Sequence, residues 1–241
     1  MESNRPARRY VIAGSQRSGS SLLCEGLEAT GVAGHPAESF APDFLDHWFH
    51  RWGLVPDCPF ADYLAAARRH GTGRNGVFGI KIQYMHVQSL ARWAGRPRAG
   101  DAVLERLFPG ARYVNIVRRD VRAQALSFYR AIHTNQWART PGVAPAPPPA
   151  LDPREVEQLE RQLTWQQTSW LQYFAARGIE PFTVYYESLA ADYRGQIARV
   201  LEFLGLDGAT ARLLPPPVLI RQADETTRRW REALDGRSDG R

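Results

Sequence analysis

The stretch Gly14 to Ser21 reads G-S-Q-R-S-G-S-S, two glycines at the spacing of a nucleotide-binding phosphate loop. Glycine-permitted backbone N–H groups, the hydroxyls of Ser18, Ser20 and Ser21, and the positive end of a following helix would together cradle an anion. Ser20 stands where a nucleotide-hydrolysing loop carries the lysine that reaches the terminal phosphates. Arg17 instead puts a charge into the bend, which suits a 5′-phosphate held without a metal. On spacing alone, an ordinary glycine turn between strand and helix stays open.

A second stretch, "NIVRRDVRAQALSFYR", puts Arg118 at the end of a strand and Ser127 about two turns into the next helix. Arg118 is then free to meet an anion beyond the sheet's carboxyl edge. A ligand with one phosphate at each place would be a nucleotide phosphorylated on both sides of its ribose.

The elements that must position these residues follow from periodicity. Tyr10 to Ala13 reads as a buried strand and Ser20 to Thr30 as a helix with Leu22, Leu23 and Leu27 inward, closed by Gly31. Further strands are expected at Gly76 to Tyr84, at Ala111 to Arg118 and within "PFTVYYESL", with Asp101 capping a short helix before the third strand. A helix should begin near Asp120, a longer one at Asp152 and Pro153 carrying a stripe from Val156 to Phe174, and another in "QIARVLEFLGL". Thr140 to Pro153 holds six prolines and reads as a surface loop within one domain spanning residues 1–241. Alternating strands and helices predict an α/β class: a P-loop-like, three-layer α/β/α sandwich around a mainly parallel sheet.

Bulk properties narrow the function classes. The 241 residues are 44% hydrophobic and 23% charged, near the globular average. No run approaches the roughly 20 apolar residues of a membrane helix, and the first ten residues lack a signal-peptide core, so a cytoplasmic protein with no transmembrane segment is expected. Two cysteines, Cys24 and Cys58, without metal-ligand spacing make disulfides and structural zinc poor readings. Thirty-one basic against 25 acidic residues give +6, and the excess of arginine suits forked recognition of phosphate or sulfate. The arginines are spread along the chain with no nucleic-acid-binding signature, so no nucleic-acid partner is expected.

At these residues the chain resembles the sulfotransferases that use 3′-phosphoadenosine 5′-phosphosulfate (PAPS). Within that family, "SQRSGSSLLCEGLEATGVAG", "NGVFGIKI" and "RQADETTRRW" look most like the bacterial trehalose 2-sulfotransferase branch. The resemblance implies that Arg17, Ser18, Gly19, Ser20 and Ser21 hold the 5′-phosphosulfate and that Arg118 and Ser127 hold the 3′-phosphate. It further implies that Tyr186, in the tyrosine-glutamate-x-leucine block "YESL", lies against adenine, and that no metal takes part. Arg221 would close over the nucleotide or serve the surface. A homodimer is implied by resemblance alone.

Sulfuryl transfer needs a base beside the first loop and cations near the departing oxygen. Relatives place a histidine two residues after a strand lysine; here Lys81 is followed by Ile82 and Gln83, and glutamine cannot serve. The trehalose branch uses a glutamate within G-E-P-x-E-F-F, which "GHPAESF" resembles, so Glu38 is implied as base, with Arg17 and Lys81 at the sulfonate and leaving oxygen. Without the resemblance, Glu38 reads as a solvated loop carboxylate and Lys81 as a strand-end charge. Gln16, His35, Trp48 and Trp52, with Glu38, could line the site of a small-molecule acceptor whose hydroxyl is sulfated, a carbohydrate, glycolipid or secondary metabolite; His35 and Ser39 replace a glutamate and a phenylalanine of the branch's pattern, which leaves trehalose itself open as the acceptor. The tryptophans read equally as core, and His35 as a partner for a loop carbonyl. Two other classes stay open: a phosphate-loop kinase or NTPase, which Ser20 and the lack of an aspartate ending the Tyr113 to Val117 strand count against, and a noncatalytic adenosine-bisphosphate-binding module.

Overall fold

The computed structural model describes residues 8–95, 102–219 and 224–238. In chain order its elements are β1 (Arg8–Gly14), α1 (Ser20–Ala29), α2 (Leu45–Trp52), α3 (Phe60–Gly71), β2 (Val77–Gln83), α4 (Tyr84–Trp93), α5 (Val103–Leu107), β3 (Arg112–Val117), α6 (Val121–Thr134), α7 (Pro153–Ala175), β4 (Phe182–Tyr185), α8 (Tyr186–Ala191), α9 (Tyr193–Leu204) and α10 (Glu225–Ser238). The four strands form one parallel sheet in the order β2-β1-β3-β4.

The two-residue alternation of each strand sorts the core into two layers. Val11 and Ala13 of β1 join Phe78, Ile80 and Ile82 of β2 against α3, α4, α5 and α7. Tyr10 and Ile12 join Val114, Ile116 and Val184 against α1 and α9 on the opposite face. The architecture is therefore an α/β/α sandwich. A third cluster packs Leu126 and Tyr129 of α6 on Leu159 and Leu163 of α7 and on Trp230 and Leu234 of α10.

One correction concerns β4. It stops at Tyr185, and the expected strand continuation "YESL" instead opens α8. Glu187 explains the turn: its carboxylate accepts from the backbone N–H of Arg119 at 3.1 Å and of Asp120 at 3.3 Å, a contact an extended chain would carry past. The Asp101 cap lies outside the described residues. Residues 140–152 run without regular structure, pinned where Gln136 bonds Ala144 and Ala146 and where Tyr129 donates to Ala150. No helix among the described residues is long and apolar enough to cross a membrane.

Strands β1 and β3 are neighbours, yet the helices that follow them diverge: α1 packs on the α9 face and α6 on α7. Such a divergence opens a crevice beyond the strands' carboxyl ends, where open α/β sheets bind ligands.

Candidate active site

Residues 15–19 bend from β1 into α1 at the mouth of this crevice. Gly19 sits at the helix entry with φ +91°, and a Cβ there would come within 2.5 Å of the Tyr186 ring. Glycine is thus required twice, for the dihedral and for the close approach. Arg17 also has positive φ, at 60°, a conformation that costs a non-glycine residue on the order of 1 kcal/mol and that gathers at ligand sites.

An indole and two glutamine side chains hold this bend from behind. Trp170 Nε1 donates to Gly14 O at 2.8 Å; Gln124 Nε2 donates to Gln16 O at 2.6 Å and to Ser15 Oγ at 2.9 Å. Gln167 Nε2 bridges Gln124 Oε1 and Arg118 O, each at 3.2 Å, tying the first bend to the end of β3. These donors take up the loop carbonyls of Gly14 and Gln16 from α6 and α7. Gln124→Leu strips three of these bonds from a side chain with no exposed surface, so we expect a loss of about 1–3 kcal/mol, read as a lower urea midpoint with unchanged slope.

The two anion sites inferred from sequence meet in space. Arg17 Nε donates to Ser127 Oγ at 3.0 Å, and Arg118 Nη1 lies 3.5 Å from Arg17 O. The Arg118 guanidinium stacks over Tyr186, 4.6 Å from the ring centroid. Burial, then the neighbouring charge of Arg118, lowers Arg17 to a pKa of about 10, so it stays cationic at neutral pH. Arg17, half-buried and bonded also to Trp137 O, and the buried Arg118 bring like charges near one another, an arrangement that an anion beside them would relieve. Ser18 Oγ is buried and makes no hydrogen bond with any described residue, which leaves its hydroxyl for a ligand.

Glu38 stands on the other side of Ser20 and Ser21. Its Oε2 lies 2.8 Å from Lys81 Nζ and accepts from Gln83 Nε2 at 3.4 Å; its Oε1 lies 3.5 Å from His86 Nδ1. Lys81 also donates to Ser21 Oγ at 3.2 Å, and Gln83 to Ser20 Oγ at 3.3 Å, so the carboxylate is fastened to the start of α1. Lys81 is 7% exposed. Burial works against its charge, but Glu38 beside it outweighs that and holds the ammonium above the ordinary lysine range. A groove of about 420 Å³ runs alongside, lined by Lys81 and Ser21, by Glu25 and Glu28 of α1, and by Pro36 and Ala37.

The other sequence candidates are placed less directly. Gln16 is turned inward, its Oε1 accepting from Gln166 at 2.8 Å and its amide against the Met85 sulfur. His35 is an exposed partner of Glu28 at 2.9 Å rather than of a loop carbonyl. Trp48 and Trp52 pack tilted with ring centroids 5.0 Å apart, Trp52 lying flat on His70 and tilted on Tyr63, although Trp48 Nε1 is buried with no partner among the described residues. Arg221 lies outside the described residues. Its flanks are anchored: Val218 and Leu219 donate backbone N–H groups to Glu25 of α1, and Asp224 pairs with the buried Arg130 of α6 at 2.6 Å. Sequence reasoning missed Gln124, Gln166 and Gln167, and it missed His86. A glutamine at 166, in the apolar stripe between Leu163 and Trp170, was the available signal. Among the described residues no group of three or more His, Cys, Asp and Glu is arranged to hold a metal ion.

A parallel α/β sandwich with a lysine-free glycine bend and a carboxylate–lysine pair beside it fits a group-transfer enzyme, and the family match makes the chain a sulfotransferase. It belongs to the Stf0 sulphotransferase family, whose model matches residues 9–235. Two relatives named trehalose 2-sulfotransferase are each 31% identical to it. One, from Mycobacterium tuberculosis, aligns over 94% of both chains, and the other, from Mycolicibacterium smegmatis, over 96% of both. A solved sulfotransferase from Alicyclobacillus acidocaldarius aligns over 95% of this chain and 91% of its own, with TM-score 0.48 and 11% identity.

Proposed function

We propose that the enzyme moves a sulfuryl group from 3′-phosphoadenosine 5′-phosphosulfate to a hydroxyl of a carbohydrate-like acceptor, with Glu38 as general base. The observation that carries this reading is the Arg17 to Ser127 hydrogen bond at 3.0 Å, with Arg118 beside it: the loop's cation and the second site's hydroxyl converge on one small ligand. The donor fits the residues present. Its 5′ end would meet Ser18, Ser20, Ser21 and the N–H groups at the start of α1; its 3′-phosphate would meet Arg118 and Ser127; its adenine would meet Tyr186.

In the transfer, Glu38 takes the proton of the acceptor hydroxyl as the acceptor oxygen bonds to sulfur and the bond from sulfur to the bridging oxygen breaks. Lys81 and Arg17 neutralise the charge left on the departing 5′-phosphate oxygen. Lys81 touches both Ser21 and Glu38, so one ammonium can serve the leaving group and the base. The groove beside Lys81, with the Ser21 hydroxyl in its wall, supports a small polar acceptor, and the names of the two relatives support a carbohydrate. The carboxylates of Glu25 and Glu28 in that groove count against an anionic acceptor.

Thermal denaturation with adenosine 3′,5′-bisphosphate, and separately with ATP plus magnesium, tests the donor. A ligand at about 100 times its Kd stabilises by about 2.7 kcal/mol, a clear rise in melting temperature. We expect that rise with the bisphosphate. A rise with ATP and magnesium and none with the bisphosphate would overturn the reading in favour of a kinase.

A further inference from the structure

His86 is 8% exposed, one turn into α4, and its Nδ1 is buried without a formed hydrogen bond. It nevertheless points at Glu38, 3.5 Å from Oε1. The other carboxylate oxygen is already taken by Lys81 and Gln83. We propose that His86 is a positioning residue for Glu38: its imidazole gives the Nδ1–H to Oε1 and so fixes which lone pair of the carboxylate meets the acceptor hydroxyl. The inference rests on Glu38 being the base.

Three charged or titratable groups face the ring: Glu38 from the segment after α1, Asp43 from the turn before α2, and Lys81 from β2. Burial, with the Lys81 charge, pushes His86 below the usual histidine value despite the pull of the two carboxylates, so the ring is neutral at pH 7. A neutral ring carries one N–H. With the hydrogen on Nε2, a lone pair on Nδ1 would face an ionised carboxylate; with it on Nδ1, the same pair of atoms attracts. The 3.5 Å separation is a contact left to shorten when the site is loaded, as catalytic hydrogen bonds commonly do. Held by Lys81 on one oxygen and His86 on the other, the carboxylate cannot rotate, and the remaining lone pair of Oε1 is the one presented.

Ring-nitrogen NMR on the folded enzyme reads the tautomer directly, the His86 signal being assigned by its loss in His86→Phe or His86→Asn. We expect the hydrogen on Nδ1; finding it on Nε2 overturns the proposal. Kinetics with the phosphosulfate donor, and trehalose as acceptor probe, supply the second arm. In His86→Phe, kcat should fall about 10- to 100-fold with donor KM little changed, and the acid limb of kcat/KM should move up by ~0.5 pH unit or more, because a carboxylate that loses a donor gains a proton more readily. His86→Asn, whose amide N–H falls near the place of Nδ1, should restore both. An unmoved acid limb, or an Asn variant no better than the Phe variant, sinks the proposal. Should His86→Phe fail to fold, His86→Gln takes its place, and equal activity of the Asn and Gln variants has the same meaning. Full activity of Glu38→Gln would instead overturn the base assignment.

Discussion

Glu38→Gln lowers kcat by about 10³-fold while adenosine 3′,5′-bisphosphate still binds. The amide keeps the shape of the carboxylate but cannot accept the acceptor's proton, and Arg118, Ser127 and Tyr186, assigned to the 3′-phosphate and the adenine, stand at the end of β3, on α6 and on α8 rather than on the segment that carries Glu38. Single-turnover rates and calorimetric binding separate the two effects. A variant that loses binding in step with turnover would mean that Glu38 only supports the loop, and a wild-type protein that binds the bisphosphate without turnover would indicate a sensor. The same change strands the Lys81 ammonium at 7% exposure, which should cost roughly 3 kcal/mol of stability. Because Lys81 is held above the ordinary lysine value, the pair's contribution is complete below about pH 10 and is lost as pH rises through the folded value. The stability gap between wild type and variant should therefore be flat across neutral pH and close only in strong alkali.

Gly19→Ala should damage both the fold and the nucleotide site. It forces a side chain into the left-handed region, at about 1–2 kcal/mol, and drives its Cβ to 2.5 Å from Tyr186. Either the ring or the bend must move, and both touch the assigned nucleotide site, so bisphosphate affinity should drop about 100-fold. Adding Tyr186→Ala removes the clash. The double variant should recover part of the melting temperature, the backbone strain remaining, without recovering affinity, whereas recovery of affinity as well would remove Tyr186 from the adenine site.

Much of the frame was legible in advance because it is written in local periodicities. The β1, bend and α1 unit shows in the switch from an apolar run to glycine and then to Leu23 and Leu27 at helical spacing, and α7 shows in its long stripe. The end of β4 was not, since Tyr185 and Tyr186 favour strand by propensity and only the distant Arg119 backbone, reached by Glu187, turns the chain. Arg17 and Arg118 could be assigned to anions by type and place. That Arg17 would reach Ser127, 110 residues away, depends on rotamers and packing that spacing does not encode. His86 carried no signal at all: a histidine in an amphipathic helix looks the same whether it faces water or a carboxylate. The glutamines behind the bend are polar residues at core positions, and such breaks in a pattern are where function tends to sit.

The anchorage of the last helix bears on how the enzyme is made. Trp230 and Leu234 complete the apolar seam over α6 and α7, while Asp224 neutralises Arg130 on the helix that carries Ser127. During synthesis the first loop and its sheet neighbours leave the ribosome long before these residues do. A nascent chain can therefore assemble its sheet early, yet Arg130 lacks Asp224 and the indole seat stays vacant until α10 emerges. Competence should come late and all at once.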